Sequence, residues 1–435
     1  MTQLLATADL HLGRRTILPG AETDTSVLSA RSTWQALVDL AIRREVDAFL
    51  LVGDVIDEEN KYLETFGPLE SGLNRLAEHR IEVLMVAGNH DSGTLSDFAG
   101  RLRDETKAKV RILGAGGRWE TYRMETGGDR VDVAGWSFPE RHWEGNPLAG
   151  SDVAWDSPAP VIGLLHADIG EESSRYAPVS ADDFAATADL WLLGHIHKPG
   201  RVRDARPEAW YPGSPHSLSS RETGAHGPLL VEVHSKHDIR VTTVPLSPVR
   251  FETLPIELNE ERALTRSELQ GKVSEQVRAF DIEHRAELEP VRHVGLALQL
   301  SGRARFEEAP EGLASGGGAD EEFRSLEYGG RTYHLLTVED LTRRPVADLE
   351  QMAQGGGPDG ELAALILALR GSETAGEFAN DILRETAEIA ERVTNHPTYM
   401  EVSEEYPLPG EQTEWAEIVE EQAYRLLNTL MSQRS

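Results

Sequence analysis

The chain has 435 residues, 39% of them hydrophobic, enough for one large globular domain and one or two smaller ones. It has no cysteine, which excludes disulfides and thiolate metal sites, so any metal must take oxygen and nitrogen ligands. Its formal charge is −31, with 74 acidic against 43 basic residues, only six of them Lys. Such a surface repels nucleic acid at long range unless metals and local Arg clusters offset it, and it suits a high-salt milieu. No run of about 18 apolar residues offers a membrane span. The segment from Thr2 to Ala8 is short, has no basic lead and does not read as a signal peptide, so a cytoplasmic location is expected.

From Met1 to about Val249, short apolar runs alternate with longer amphipathic segments. Runs of strand length begin at Leu4, Ala48, Val83, Val131, Val161 and Leu190, most of them β-branched or Leu-rich as buried strands are. Between them, Trp34, Leu37, Val38, Ala41 and Ile42 recur at helical spacing, as do Leu69, Leu73 and Leu76. This alternation predicts an α/β layered domain. Leu229–Val233 and Ile239–Val244 predict a closing hairpin, and Pro245 and Pro248 mark a boundary. Residues 250–344 mix a helix over Leu264–Phe280 with strands over Val294–Leu300 and Tyr333–Val338, and Ser315-Gly316-Gly317-Gly318 reads as a loop. After Gly355-Gly356-Gly357-Pro358 the remainder is helical in pattern, without internal repeats.

Five short motifs follow one another, each where an apolar run ends. They are Asp9-Leu10-His11, Gly53-Asp54-Val55-Ile56-Asp57, Gly88-Asn89-His90-Asp91, His166, and Gly194-His195-Ile196-His197. Sites in α/β sheets form beyond the carboxyl ends of strands, so five strands ending at one edge would gather these side chains. Carboxylate, imidazole and amide oxygen suit manganese, iron or zinc. A pair of divalent ions can clamp the attacking and leaving oxygens of a phosphoryl displacement. A carboxylate can bridge two ions, and Asp54 is the natural bridge. His90 follows Asn89 directly and can point toward substrate as a proton donor, with Asp91 orienting its ring. Taken singly, each motif is more often a solvated turn or a core histidine; the ordered set is not.

Together, Asp-x-His, Gly-Asp-x-x-Asp, Gly-Asn-His-Asp, a lone His and Gly-His-x-His resemble the signature of calcineurin-like metallophosphoesterases. The resemblance implies a layered α/β/α fold with a β-sandwich core, a smaller α/β cap and a helical tail. It implies one ion at Asp9, His11, Asp54 and His197, and another at Asp54, Asn89, His166 and His195.

Three features resemble the SbcD-type nuclease branch: Asp9-Leu10-His11-Leu12-Gly13, a closing segment of Tyr211–Pro215 with Arg221–Gly224, and the units that follow. Details of residues 211–250 are also similar to a YhaO-type bacterial branch. The resemblance implies a nuclease domain over 1–249, an α/β capping domain over 250–345, and a linker and helical tail over 346–435 that docks on an SMC-like ABC ATPase. It further implies a homodimeric, manganese-dependent DNA repair enzyme. That enzyme is a double-strand 3′-to-5′ exonuclease and a single-strand and hairpin endonuclease.

Two other readings stand beside it: a metallophosphatase or phosphodiesterase for a small molecule or protein, and a non-catalytic scaffold. Arg14 and Arg15, just after the first motif, either meet phosphate or form a solvated turn. His216 is unassigned, and His234 and His237 read as surface imidazoles of a hairpin. Trp415 and Leu426 serve either as a partner anchor or as internal packing.

Overall fold

The computed structural model describes residues 1–21, 28–57, 63–95, 110–126, 129–153, 155–170, 173–185, 187–315, 324–343, 346–370, 376–394 and 412–432. The glycine run at 316–318 lies outside these. Two compact units are distinguished. The first holds Met1–Glu252, Asp281–Leu296 and Ser325–His334; the second holds Thr253–Phe280, Ala297–Arg324 and Leu335–Ser435.

The first unit is mixed α/β and carries two six-stranded sheets. In chain order its elements are β1 (Thr2–Thr7), α1 (Ala30–Arg43), β2 (Ala48–Val52), α2 (Leu63–Glu78), β3 (Glu82–Val86), β4 (Val110–Ile112), β5 (Trp119–Thr126) and β6 (Asp129–Trp136). There follow β7 (Val161–His166), β8 (Leu190–Gly194), β9 (Gly200–Arg203), β10 (Glu208–Tyr211), β11 (Leu229–Ser235) and β12 (Asp238–Thr243). One sheet runs β12-β11-β1-β2-β3-β4 and the other β5-β6-β7-β8-β10-β9. The centre of each is parallel: Leu4 pairs with Ala48, Ala48 with Glu82, Ile162 with Leu190.

Side chains alternate across a strand, and the burial follows that period. Leu4, Ala6, Leu50, Val52, Leu84 and Val86 face the other sheet and pack with Val133, Ile162, Leu164 and Leu192. Leu5, Phe49, Leu51, Val83 and Met85 face outward onto α1 and α2. The outer face of the second sheet is covered, among the described residues, by segments that bring Ala177, Val179 and Phe184 onto Trp191 and Leu193.

Helix α1 starts where Ser29, with extended backbone, accepts a hydrogen bond from the Ser32 amide. Its buried face is Ala30, Trp34, Leu37, Val38 and Ala41, the helical spacing read from sequence. Trp34 donates from Nε1 to the carbonyl of Pro68 in α2, 2.9 Å away. Gly72 leaves room for that indole, since a Cβ there would fall 2.3 Å from Nε1.

The strands of residues 249–340 are β13 (Val249–Leu264), β14 (His293–Phe306), β15 (Ser325–Tyr328) and β16 (Arg331–Asp340), in the order β13-β14-β16-β15, with helix α3 (Arg266–Glu283). In the second unit α4 (Val346–Ala353), α5 (Pro358–Leu369), α6 (Gly376–Thr394) and α7 (Gln412–Ser432) share one apolar cluster. Helix α7 buries Ala423, Tyr424 and Leu427 there and leaves Ile418 and Leu426 exposed. No described helix is long and apolar enough to cross a membrane.

The expectation that all five motifs lie at one edge of a single sheet needs correction. The first three follow β1, β2 and β3 of one sheet; His166 ends β7 and the last motif follows β8 of the other. The two sheets bury one face against each other, and Asp9 and Asp54 of one lie beside His166 of the other, so the site forms across the sandwich.

Candidate metal centre

The backbone turns sharply at each strand end. Asp9, His11, Asp54 and His195 all carry positive φ (50°, 45°, 50° and 103°). This left-handed region is costly for residues with a Cβ and persists where the surroundings over-determine it. Here the surroundings do so through hydrogen bonds between loops. The Asp9 amide donates to the Gly53 carbonyl at 3.1 Å, and the His11 amide to the Asp54 carbonyl at 2.9 Å. The His195 amide donates to both oxygens of Asp9, at 3.0 and 3.2 Å, and the His90 amide to Asp54 Oδ1 at 2.9 Å. Gly53, Gly88 and Gly194 are needed for space. A Cβ on Gly88 would lie 2.2 Å from Asp54 Oδ1, and one on Gly194 1.9 Å from the Val52 carbonyl oxygen.

The side chains converge. Donor atoms of Asp9, His11 and His197 lie within 4.8 Å of one another, as do those of Asp9, Asp54 and His166. His11 Nε2 and His197 Nε2 are 3.2 Å apart. His166 Nε2 lies 3.1 Å from Asn89 Oδ1 and 3.4 Å from Asp54 Oδ2, inside a fully buried pocket. His195 enters less closely: its ring centroid is 5.5 Å from that of His166, and its Nε2 is 4.0 Å from Asp168. All seven candidate ligands are thus at one place.

The tautomer of His166 tests whether the site fits a cation. Its Nδ1 sits 3.0 Å from the Val52 carbonyl, which can only accept, so Nδ1 carries the proton. Nε2 then faces two oxygen acceptors, an arrangement satisfied by a divalent ion or, in its place, by a second ring proton. The electrostatics agree. Burial alone would lower the pKa of His166, yet Asp54 and Asp9 outweigh it and hold it at about 9. Burial would raise Asp54, but His166 and then His11 and His90 keep it well below the usual carboxylate range. Burial, reinforced by the neighbouring His166, pushes His195 down to about 3, the neutral form a ligand needs. The cluster therefore calls for positive charge, and its donors are the hard and borderline types that divalent ions take.

One expectation changes. Asp91 does not reach the His90 ring: its Oδ1 accepts from the Gly88 amide at 2.8 Å and its Oδ2 from the Val55 amide at 2.7 Å. Its short buried side chain is committed to clamping two motif loops together. The carboxylate beside His90 is Asp57, 3.6 Å from His90 Nδ1, 3.5 Å from His11 Nδ1 and 3.1 Å from Arg14 Nε. Arg14 is thus bonded to Asp57, and its charge beside that carboxylate disfavours a third cation there. Arg15 is exposed, in a backbone bridge with Ser29.

Asp57 belongs to a quoted motif but its role was not legible there. Ser137 was missed altogether; it accepts from the Ala87 amide and donates to Leu113, bracing the Gly88 turn. Glu222 was read only as part of the closing segment, yet its Oε1 is 3.0 Å from His197 Nδ1. His216 is buried, and neither ring nitrogen has a hydrogen-bond partner among the described residues. His234 and His237 are exposed on the β11–β12 hairpin.

Residues 2–199 match the family described as calcineurin-like phosphoesterase. The uncharacterized metallophosphoesterase YhaO of Bacillus subtilis is 30% identical over 53% of this chain and 55% of its own length. The DNA double-strand break repair protein Mre11 of Aeropyrum pernix is 25% identical over 54% of this chain and 58% of its own. The chain therefore spans a little over half the length of both relatives. The crystal structure of TT1561 of Thermus thermophilus overlaps 56% of this chain and 98% of its own, at 13% identity and a TM-score of 0.36.

Proposed function

We propose that the chain, whose residues 2–199 match the calcineurin-like phosphoesterase family, is a two-metal nuclease hydrolysing DNA phosphodiester bonds. The observation that carries the metal site is the buried His166 Nε2 facing Asp54 and Asn89, with the tautomer fixed from behind. DNA as substrate is supported by the similarity to proteins named Mre11.

Asp9, His11, Asp54 and His197 would hold one ion, and Asp54, Asn89, His166 and His195 the other. Manganese is the ion we assign. When bound, the pair supplies Lewis acidity to the phosphoryl oxygens and neutralises charge in the displacement. His90 acts as the imidazolium and gives its Nε2 proton to the departing sugar oxygen; burial opposes that charged form, while Asp54 and Asp57, the latter 3.6 Å from Nδ1, favour it. Asp9, through the His195 amide, and Asp54, through the His90 amide, tie the motif loops together so that these groups keep their spacing. The same reading extends to a double-strand 3′-to-5′ exonuclease with single-strand and hairpin endonuclease activity. It also extends to a cytoplasmic homodimer acting in DNA repair with an SMC-like ABC ATPase. Its domain assignment is a nuclease over 1–249, a cap over 250–345 and a docking tail over 346–435.

The test is a paired assay on metal-stripped protein given Mn²⁺. Linear duplex DNA and a nitrophenyl phosphate ester are offered side by side. Hydrolysis of DNA that disappears in Asp54→Ala supports the nuclease. Turnover of the ester alone favours the small-molecule phosphatase, and no turnover of either favours a scaffold.

A further inference from the structure

We propose that Glu222 is a positioning residue that selectively tightens the ion held on the His197 side of the centre. This rests on the two-metal reading above and adds an inequality between the two ions.

A metal-bound imidazole is oriented and made more basic when its other nitrogen donates to a carboxylate. Glu222 Oε1 lies 3.0 Å from His197 Nδ1, so Nδ1 carries the proton and Nε2 is left for a ligand bond. That Nε2 faces His11 Nε2 across 3.2 Å. Glu222 is itself held. Its Oε2 accepts from the Leu218 amide at 2.7 Å and from Ser214 Oγ at 3.1 Å. Ser214 in turn donates its amide to the His197 carbonyl at 3.0 Å. Ser214 therefore holds the Glu222 carboxylate with its hydroxyl and the His197 backbone with its amide.

On the other side no such anion lies at hydrogen-bonding distance among the described residues. His166 Nδ1 has a neutral carbonyl behind it, that of Val52. His195 Nε2 is 4.0 Å from Asp168. The candidate donors differ in the same sense: Asp9 and Asp54 both belong to the His197 side, whereas the His166 side has Asp54 and the neutral Asn89.

The experiment is calorimetric titration of the metal-free full chain with Mn²⁺ alone, in wild type, Glu222→Gln and Ser214→Ala. Glutamine retains the length and an acceptor but loses the charge. Two steps are expected in wild type. In Glu222→Gln the tighter step weakens about 10- to 100-fold while the weaker one changes less. Ser214→Ala, which removes one support of Glu222, weakens the same step by a smaller factor and covers the case in which the glutamine variant does not fold. Two steps unchanged in both folded variants would overturn the role of Glu222. Absence of two steps in wild type would instead sink the two-metal reading.

Discussion

His166 donates from Nδ1 to the carbonyl of Val52, one sheet's strand end fixing the ring carried by the other. The bond leaves no space behind it. Gly194 sits against both partners, and a Cβ there would meet the Val52 oxygen at 1.9 Å and His166 Nδ1 at 2.5 Å. Gly194→Ala should therefore displace His166 or part the sheets. Overpacking of this kind costs about 1–3 kcal/mol. Denaturant unfolding should show that loss, and Mn²⁺ binding should weaken in the fraction that still folds. A variant with wild-type stability and wild-type Mn²⁺ affinity would contradict this account of the turn.

The strand ends were legible in the sequence because buried parallel strands are uniform apolar runs, and each stops abruptly at a polar motif. Val161–Leu165 ending at His166 is such a case: all of β7 is buried. What could not be read was which sheet each strand joins, since β3 and β7 have the same local pattern and pairing is non-local. Supporting residues were hidden for a related reason. Asp57 and Glu222 act on histidines 46 and 25 positions away (Asp57 on His11, Glu222 on His197), and the segments around them do not show which imidazole each one faces. Asp91 was misplaced because adjacency in sequence suggested contact with His90, whereas the turn points its carboxylate back at the Gly88 and Val55 amides. The second unit was only coarsely legible. In β13, Leu254, Ile256 and Leu258 are buried, a faint two-residue alternation in an acidic stretch.

Stability should depend on pH through Asp132 on β6. Burial alone would raise its carboxyl, but hydrogen bonds from Ser157, Arg130 and Arg123 hold it below the usual carboxylate value. A carboxyl depressed in the folded state stabilises above its unfolded pKa of about 3.9, and the gain fades as pH falls through the folded value. Asp132→Asn should thus lower stability at pH 7 by about 1–2 kcal/mol. The gap to wild type should close below about pH 4. A gap that persisted unchanged into that acidic range would assign the loss to packing instead.

Salt should stabilise the whole chain. With a formal charge of −31, like-charge repulsion opposes the compact state, and ions screen it. At 1 M salt the screening length shrinks to about 3 Å, so only contact pairs keep their interaction. Thermal unfolding followed from low to molar KCl should show a rising Tm. An unchanged Tm would remove both the repulsion argument and the case for a high-salt milieu.

His90, Asp57 and Asp91 should separate cleanly by kinetics. His90 is partly exposed beside the ligand cluster, with Asp57 at its Nδ1 and the His11 ring edge-on to it, their centroids 5.0 Å apart. His90→Ala removes a proton donor without touching an assigned ligand. It should keep Mn²⁺ and DNA binding while lowering turnover about 100- to 10,000-fold. Asp57→Asn leaves His90 in place but weakens its support, so its loss of turnover should be smaller. Because Asp57 also faces His11 Nδ1, its Mn²⁺ affinity should fall as well. Asp91→Asn acts differently. Its two oxygens accept from the Gly88 and Val55 amides, and an amide NH₂ in place of either oxygen would face a donor. It should therefore unfold at lower denaturant, by about 1–3 kcal/mol, before any effect on proton transfer is seen. Equal turnover in His90→Ala and wild type, with DNA bound, would remove His90 as the acid and point to water as the proton source.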